Sequence, residues 1–530
     1  MYLIARTHRP LVMGRNGAVG ANHPLAVQAG LDILRAGGNA VDAAVAISLA
    51  YTVVEPMMSG LGGDGFYNVL IGGKRVVVNA TGPAPAAASV AIFAGGLDIT
   101  GPRSVSVPGC LAGLGSMHAA HGKLPWARLA QAAILYAREG YAVTHRHAEI
   151  GITYRAVLSR DPLSVRVFVD KKLGDLIVQP ELAATLEEIA ADGAETFYRG
   201  KLAKRLAAGM AARGTLITEA DLAACHAEVT HPISIRYRGY EVTQTPPNST
   251  GFTMLQILKI AERFDFAALS EVDRIHLLVE AKKLAFLDRE RYGADPRFGA
   301  VPLDHLLSDS YADSLAARID LRHASNNRPP IAEAAEGDTT YFTVVDADGN
   351  AVSGIQSLNS GFGSGVMAGD TGVLLNNRMA YWHLAKGHAN QLMPGKRVRH
   401  TMNAAMVFKD DKLWATLGTP GADNQVQVNA QVLTAMVDLG ADPQTAVESP
   451  RWTSSQTAQG ANWPHDGDGK LTIEADFGNT VLSDLAARGH AIGAVPHLNG
   501  PCAMQVIRVL DNGVRMVGSD PRRDGWAGAY

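Results

Sequence analysis

Three cysteines in 530 residues, Cys110, Cys225 and Cys502, are too few and too scattered for a disulfide framework, and an odd set suits a reducing compartment. An excess of basic charge is missing too. Lys and Arg number 48 against 51 Asp and Glu, a net charge of −3 with a pI near 6.6, so no basic face offers itself and nucleic acid is not expected as a partner. No apolar run approaches the roughly 18 residues of a membrane span, so no membrane partner is expected either. The amino terminus MYLIARTHRPLVMGRN has five apolar residues ahead of Arg6, short of the roughly 7 to 15 of a secretory signal. Export is not indicated, and the expected location is cytoplasmic.

Several motifs are absent as well. His145 and His147 are close in sequence, as are His383 and His388, but neither pair forms HExxH and no neighbouring Cys or carboxylate set completes a zinc site. Solvated or core histidines are expected, and no metal. G-x-S-x-G is missing, which removes the usual entry to the α/β-hydrolases. GLGGDG at 60–65 contains a literal G-x-G-x-x-G, but Glu55 and Pro56 interrupt its approach and FYNVLI after it reads as a strand. A tight glycine turn is the better reading, and no cofactor is expected.

What is present is a globular chain, 47% hydrophobic and 19% charged, whose length alone suggests about three domains. Residues 24–52 read as two helices: Val27, Leu31 and Leu34 form the stripe of the first, Gly37 and Gly38 stop it, and Asn39 caps the second with Asp42 three residues on. Val41, Val45 and Leu49 mark the buried side of that second helix, and its alanines allow close packing. Helical patterns follow at 114–142, 180–213, 253–264 and 272–289, and 236–251 reads as a strand followed by a turn. Residues 319–338 are polar and patternless, which makes them the best linker candidate. Beyond them strand patterns dominate: a hairpin from 339, another at 402–419, a helix at 423–438 and a strand pair around Asp511-Asn512-Gly513.

The stretch GDTTYFTVVDADGNAVSGIQSLNSGFGSGVMAGDTGVLLNN, 337–377, carries the candidate chemistry. Thr339 stands at the head of its hairpin, behind the polar segment EAAEGD, which is suited to exposure and cutting. A threonine hydroxyl needs a base within reach. Cleavage between Asp338 and Thr339 would supply one, because a free α-amine has a pKa of about 7.7 to 8.0, near the working range of a general base. The hairpin taken alone favours an ordinary strand start, since threonine is common there.

The order of motifs over roughly residues 15–530 resembles the γ-glutamyltransferase family, of the N-terminal nucleophile hydrolase superfamily. NAVDAAVA at 39–46, LGGDGF at 61–66, SVPGCLAG at 106–113, TTYFTVVDADGNAVS at 339–353, GVLLNN at 372–377, GTPG at 418–421 and the closing SDPRRDGWAGAY carry the likeness. The resemblance implies an α/β four-layer αββα sandwich, with a large fragment 1–338 and a small fragment 339–530 forming one structural domain. It implies autocatalytic cleavage, a heterodimer of the two fragments that can pair further, and a small-molecule amide as substrate.

Matched to the family, Thr339 is the nucleophile, Ser357 the second hydroxyl residue, Asn359 an orienting residue, and the N–H groups of Gly421 and Ala422 the oxyanion donors. The substrate-recognition positions depart. The family's carboxylate-binding arginine falls on Thr81, its amine-binding glutamine and aspartate on Arg378 and Tyr381, and its paired serines on His400 and Thr401. Arg378 puts a cation where an ammonium would lie, which disfavours an amino-acid head and suits a carboxylate without a neighbouring amine. The expected function is an autoprocessed N-terminal-threonine amidohydrolase or acyltransferase acting on a small carboxylate-bearing amide, oxamate-like or glutaryl-like. A true γ-glutamyltransferase, or a non-catalytic binding protein that keeps the fold, stays open.

Overall fold

The Asn39 side chain accepts from the Val41 and Asp42 N–H groups at 2.9 and 3.0 Å, and Asp42 returns a bond to the Asn39 N–H at 3.0 Å. This reciprocal cap, worth about 1 kcal/mol, starts the helix Ala40–Val54 where the sequence pattern sets it. The helix is buried at all 15 positions, not on one side only. Its alanines leave room for the preceding helix Pro24–Arg35 and the helix Trp126–Glu139 to pack closely on it, so it is the middle of a helical layer.

The computed structural model describes residues 4, 6–325 and 338–530. Two seven-stranded antiparallel sheets form its centre. One runs Trp526–Ala529, Gly17–Ala21, Asp338–Asp346, Ala351–Asn359, Asp64–Ile71, Lys74–Ala80, Glu228–Thr230. The other runs Val12–Gly14, Arg515–Ser519, Gln505–Val509, Lys412–Gly418, Ala405–Lys409, Tyr240–Gln244, Ile233–Tyr237. Each sheet takes strands from both sides of residue 338, and the 338–346 strand lies between Gly17–Ala21 on one edge and Ala351–Asn359 on the other. One helical layer shares a core with the first sheet through Val19, Ile47, Leu49, Phe342 and Val352. A second, with helices Gly251–Ala261, Glu271–Tyr292 and Gln425–Val437, shares another through Val242, Leu258, Val407 and Leu417. Between the sheets, Ala18, Val345, Met406, Phe408, Ile507 and Val517 fill the interior. The order is helix, sheet, sheet, helix, as expected.

Some elements differ from their sequence patterns. RYRGYEVTQ is a hairpin that turns at Arg238-Gly239, because the turn falls inside what reads as one alternating run. The 114–142 and 180–213 stretches each hold two helices, Cys110–His121 with Trp126–Glu139 and Pro180–Asp192 with Lys201–Ala212; Pro125 and Gly193 interrupt them. The start of the linker candidate is held by hydrogen bonds. His276 Nε2 donates to the Asp320 carbonyl at 2.8 Å, Ser325 N–H to Glu280 at 3.1 Å and Lys283 Nζ to the Ser325 carbonyl at 3.1 Å. Its remainder, 326–337, lies outside the described residues. Among those described, no helix is long and apolar enough to cross a membrane.

The two sheets approach closely where Tyr341 lies against Gly418. A Cβ on Gly418 would stand 2.2 Å from Tyr341 Cε2, so nothing larger than hydrogen fits. Gly418→Ala is expected to cost about 1 to 3 kcal/mol by overpacking, read as a lowered midpoint in urea or thermal denaturation. An unchanged midpoint would mean the sheets part there freely.

Candidate active site

Thr339 is 3% exposed and its Oγ1 donates to Ser357 Oγ at 3.2 Å. The hairpin register explains how they meet. Asp338 pairs with Asn359 and Thr340 with Gln356, so two steps on the first strand answer three on the second, and the ladder is irregular at Thr339. In the uncut chain the Thr339 nitrogen is a peptide amide. Ser357 Oγ also accepts from the Asn359 N–H at 2.8 Å, and Asn359 has φ +89, a conformation that a non-glycine residue rarely adopts.

Asn359 leads to a buried charged group. Its Oδ1 accepts from Arg378 Nη1 at 3.4 Å, and its Nδ2 donates to Asn462 Oδ1 at 3.0 Å. Arg378 is 1% exposed, its guanidinium lies 4.6 Å from the Tyr381 ring centroid, and its Nε is 3.4 Å from Asp64 Oδ2. His400 Nε2 is also 3.4 Å from that oxygen. Burial, with Arg378 next to it, pushes the His400 imidazole down to about 4, against the pull of Asp64. The ring is therefore neutral at pH 7. Tyr381 Oη and Thr401 Oγ1 are 3.1 Å apart and close the far side. Arg378 Nε and Nη2, Asp64 Oδ2 and both His400 ring nitrogens have no hydrogen-bond partner among the described residues.

Of the expected site residues, Thr339, Ser357, Asn359, Arg378, Tyr381, His400 and Thr401 thus form one connected set. Thr81 stands beside it. Its hydroxyl bonds Asn79 at 2.7 Å and Asn248 at 3.2 Å, and it connects to the set through Gly82, whose N–H donates to Asp64 Oδ1 at 2.7 Å. Asp64 is a residue the sequence reading left unassigned, although it sits in the glycine turn that reading singled out.

Gly421 and Ala422 follow the Lys412–Gly418 strand. Thr343 Oγ1 meets Thr416 Oγ1 at 2.5 Å and Tyr341 meets Gly418, so the strand that Thr339 heads faces the strand that leads into this turn. Gly421 has φ +124, and a Cβ there would lie 2.4 Å from Cys502 Sγ; Ala422 has φ +48. The pair begins the 3-10 turn Ala422–Asn424 that runs into the helix Gln425–Val437, and neither N–H finds an acceptor among the described residues. Such N–H groups and the positive helix end favour an anion. A cleft of about 590 Å³ opens on Gly421 and Ala422, bounded by Lys282, Phe286 and parts of the 453–472 segment.

No carboxylate set completes a metal site beside His383 and His388 in the sequence, but the fold brings Glu290 to both. Glu290 Oε2 lies 3.9 Å from Nε2 of each. His388, His383 and His465 stack with centroids 3.6 and 3.7 Å apart. The donor set nevertheless suits a metal poorly. His388 Nδ1 accepts from the Asn390 N–H at 3.0 Å, so the neutral ring carries its proton on Nε2, and Arg399 already pairs with Glu290 Oε2 at 2.9 Å. In the group His276, Glu280 and His490, Nε2 of His276 donates to Asp320, its Nδ1 faces His490 Nε2 at 2.8 Å, and Glu280 holds Lys283 at 2.7 Å. His147 packs between Tyr141, Phe168 and Phe362 as a core histidine.

A buried hydroxyl pair at the head of a central strand, in an αββα sandwich of antiparallel sheets, defines the class: an N-terminal nucleophile amide hydrolase. Within that class the chain belongs to the γ-glutamyltranspeptidase family, whose profile (Gamma-glutamyltranspeptidase) matches residues 26–530. It is 38% identical to the glutathione hydrolase-like YwrD proenzyme of Bacillus subtilis (strain 168), over 97% of this chain and 99% of that protein. It is 34% identical to the oxamate amidohydrolase proenzyme of Klebsiella pneumoniae, over 97% and 98%. The crystal structure of a cephalosporin acylase from Bacillus halodurans superposes with a TM-score of 0.89 at 35% identity, covering 100% of this chain and 98% of that one. The protein is an amidohydrolase or acyltransferase of this family.

Beside Thr339, Thr340 Oγ1 donates to Glu55 Oε2 at 2.5 Å. Burial raises the Glu55 carboxyl from 4.5 to about 8, and the Thr340 hydrogen bond only partly opposes this. A pKa raised on folding gives stability that is complete below pH 4.5 and is lost as pH rises through 8. Glu55→Gln keeps an acceptor for Thr340 and removes the titration. The variant is expected to match wild type in acid and to exceed its denaturation midpoint above pH 8. Parallel curves across the range would refute the buried, neutral carboxyl.

Proposed function

We propose that this protein hydrolyses, or transfers the acyl group of, a small amide that carries a carboxylate and no neighbouring amine. The observation that carries the reading is Arg378. Its Nε and Nη2 form one edge of the guanidinium, the edge that grips a carboxylate through two parallel hydrogen bonds, and this edge is buried and without a hydrogen-bond partner. The oxamate named for the Klebsiella relative is an amide of this kind, which supports the reading.

In this mechanism the bond between Asp338 and Thr339 is cut first, giving fragments 1–338 and 339–530 that stay together because both sheets use strands of both. The proenzyme names of the relatives support a cut precursor. The freed α-amine takes the Thr339 hydroxyl proton as Oγ1 attacks the amide carbon, and passes it to the departing nitrogen. Gly421 and Ala422 N–H groups hold the oxyanion. Ser357 fixes the hydroxyl, Asn359 and Arg378 hold the acyl end, and Tyr381, His400 and Thr401 wall it, with Thr81 behind. Water or an amine then resolves the ester. A second reading retains an α-amino head, since Asp64 Oδ2 lacks a hydrogen-bond donor and an ammonium would fill it. Arg378, at 3.4 Å from the same oxygen, opposes that ammonium.

Electrophoresis under denaturing conditions is expected to give two pieces, the smaller beginning at Thr339, while Thr339→Ala stays whole. Cleavage of that variant at the same bond would remove Thr339 as the agent. Arg378→Ala is expected to raise KM for a carboxylate-bearing amide by about 1.5 to 3 kcal/mol and to leave its methyl ester little changed. Equal losses for acid and ester would remove Arg378 from carboxylate binding, and a requirement for an α-amine on the substrate would favour the second reading.

The base is an α-amine that must be neutral, so kcat/KM is expected to rise with pH through one acidic limb. The limb persists in His400→Asn, because His400 is already neutral well above pH 4. Arg378→Ala moves it upward, since a nearby cation favours the uncharged amine. Loss of the limb in a folded, cleaved His400→Asn would make histidine the base.

A further inference from the structure

Lys282 projects from the helix Glu271–Tyr292 into the wall of the cleft beside Gly421 and Ala422, and is 1% exposed. Its Nζ donates to the neutral Gln456 Oε1 at 3.1 Å and lies 4.1 Å from the Phe286 ring centroid. No carboxylate among the described residues comes within ion-pair distance of it. Its neighbours are differently placed: Lys283 pairs with Glu280 at 2.7 Å, and Arg289 pairs with both Glu290 and Asp423. An ammonium has three donors, and burying one against a single neutral amide costs several kcal/mol unless an anion arrives. Burial, with Arg289 and Lys283 near, pushes its proton affinity well below the ordinary lysine range, against the pull of Asp423, which also lines the cleft, and of Glu290. An anion in the cleft would reverse that.

The position selects which part of the substrate brings the anion. The acyl carboxylate is assigned to Arg378, which like Thr339 is not among the residues lining this cleft, and the carbonyl oxygen to the Gly421 and Ala422 N–H groups, which are. The substituent on the scissile nitrogen is left to occupy the cleft. We propose that Lys282 binds a carboxylate on the amine side of the amide, selecting carboxylate-bearing leaving groups and acyl acceptors. The inference rests on the reading of Thr339, Arg378 and the Gly421–Ala422 turn given above. Transfer is acylation reversed. The acceptor nitrogen attacks the ester carbon, the bond from carbon to Thr339 Oγ1 breaks, and the acceptor's proton returns to that oxygen through the α-amine, so leaving group and acceptor share one subsite.

The test compares wild type, Lys282→Met and Lys282→Arg, all as cleaved enzyme. Titration calorimetry measures 3-aminobenzoate against aniline, and hydrolysis is followed for glutaryl amides of 3-carboxy-4-nitroaniline and of 4-nitroaniline. Wild type is expected to favour the carboxylated member of each pair. In Lys282→Met that preference falls roughly ten- to hundredfold, the range of a charged hydrogen bond, and Lys282→Arg recovers most of it. A preference equal in wild type and Lys282→Met, or none in wild type, overturns the proposal. If neither anilide is cleaved, the substrate reading fails, while the aminobenzoate titration still decides on Lys282. A thermal midpoint of Lys282→Met no lower than that of wild type separates lost recognition from lost folding.

Discussion

The approach of the two sheets at Tyr341 and Gly418 sets the position of everything chemical in this protein. With a hydrogen atom in place of a side chain at Gly418, the tyrosine ring fills the gap and the 338–346 and 412–418 strands lie in register across the interior. The Tyr341–Gly418 and Thr343–Thr416 contacts set the 338–346 strand against the strand that leads into the Gly421–Ala422 turn. The candidate residues Thr339, Gly421 and Ala422 are positioned by this packing and by the turn that follows the second strand. The irregular ladder opposite Thr339 adds the second requirement, since it turns Ser357 toward the threonine hydroxyl and forces Asn359 into a strained backbone conformation.

The candidate site is built around buried charge. Asp64, Arg378 and His400 occupy a space that water does not reach, at separations longer than good hydrogen bonds. A fully paired cluster would be more stable and would have nothing left for a substrate. Here Asn79, Asn248 and Gly82 satisfy Thr81 and one oxygen of Asp64, while Arg378 Nε and Nη2 make no hydrogen bond among the described residues. The neutral state of His400 follows from the same burial, and it keeps that cluster from carrying a second cation beside the arginine.

Much of this was legible in the residues alone. Helix caps, hairpin turns and hydrophobic periods depend on neighbours within a few positions, which is why the Asn39 cap, the 339–359 hairpin and the alternation of strands and helices could be read directly. The short range of these signals also explains the errors. A turn at Arg238-Gly239 interrupts an alternating run without breaking its pattern, and the all-round burial of Ala40–Val54 depends on two other helices that periodicity does not report. The candidate set was legible through likeness to a family, and the likeness named Arg378 without its neighbour Asp64.

The sequence by itself determined the elements, the unusual residues at the recognition positions and the membership of a family that cuts amides. Only the tertiary structure decided which side chains share a space. Glu290 beside His383 and His388, Asp64 between Arg378 and His400, and Lys282 at the cleft of Gly421 join residues from separate elements of the chain. Such pairings are fixed by how layers stack and sheets twist, quantities that sum over the whole chain. No window of neighbouring residues contains them.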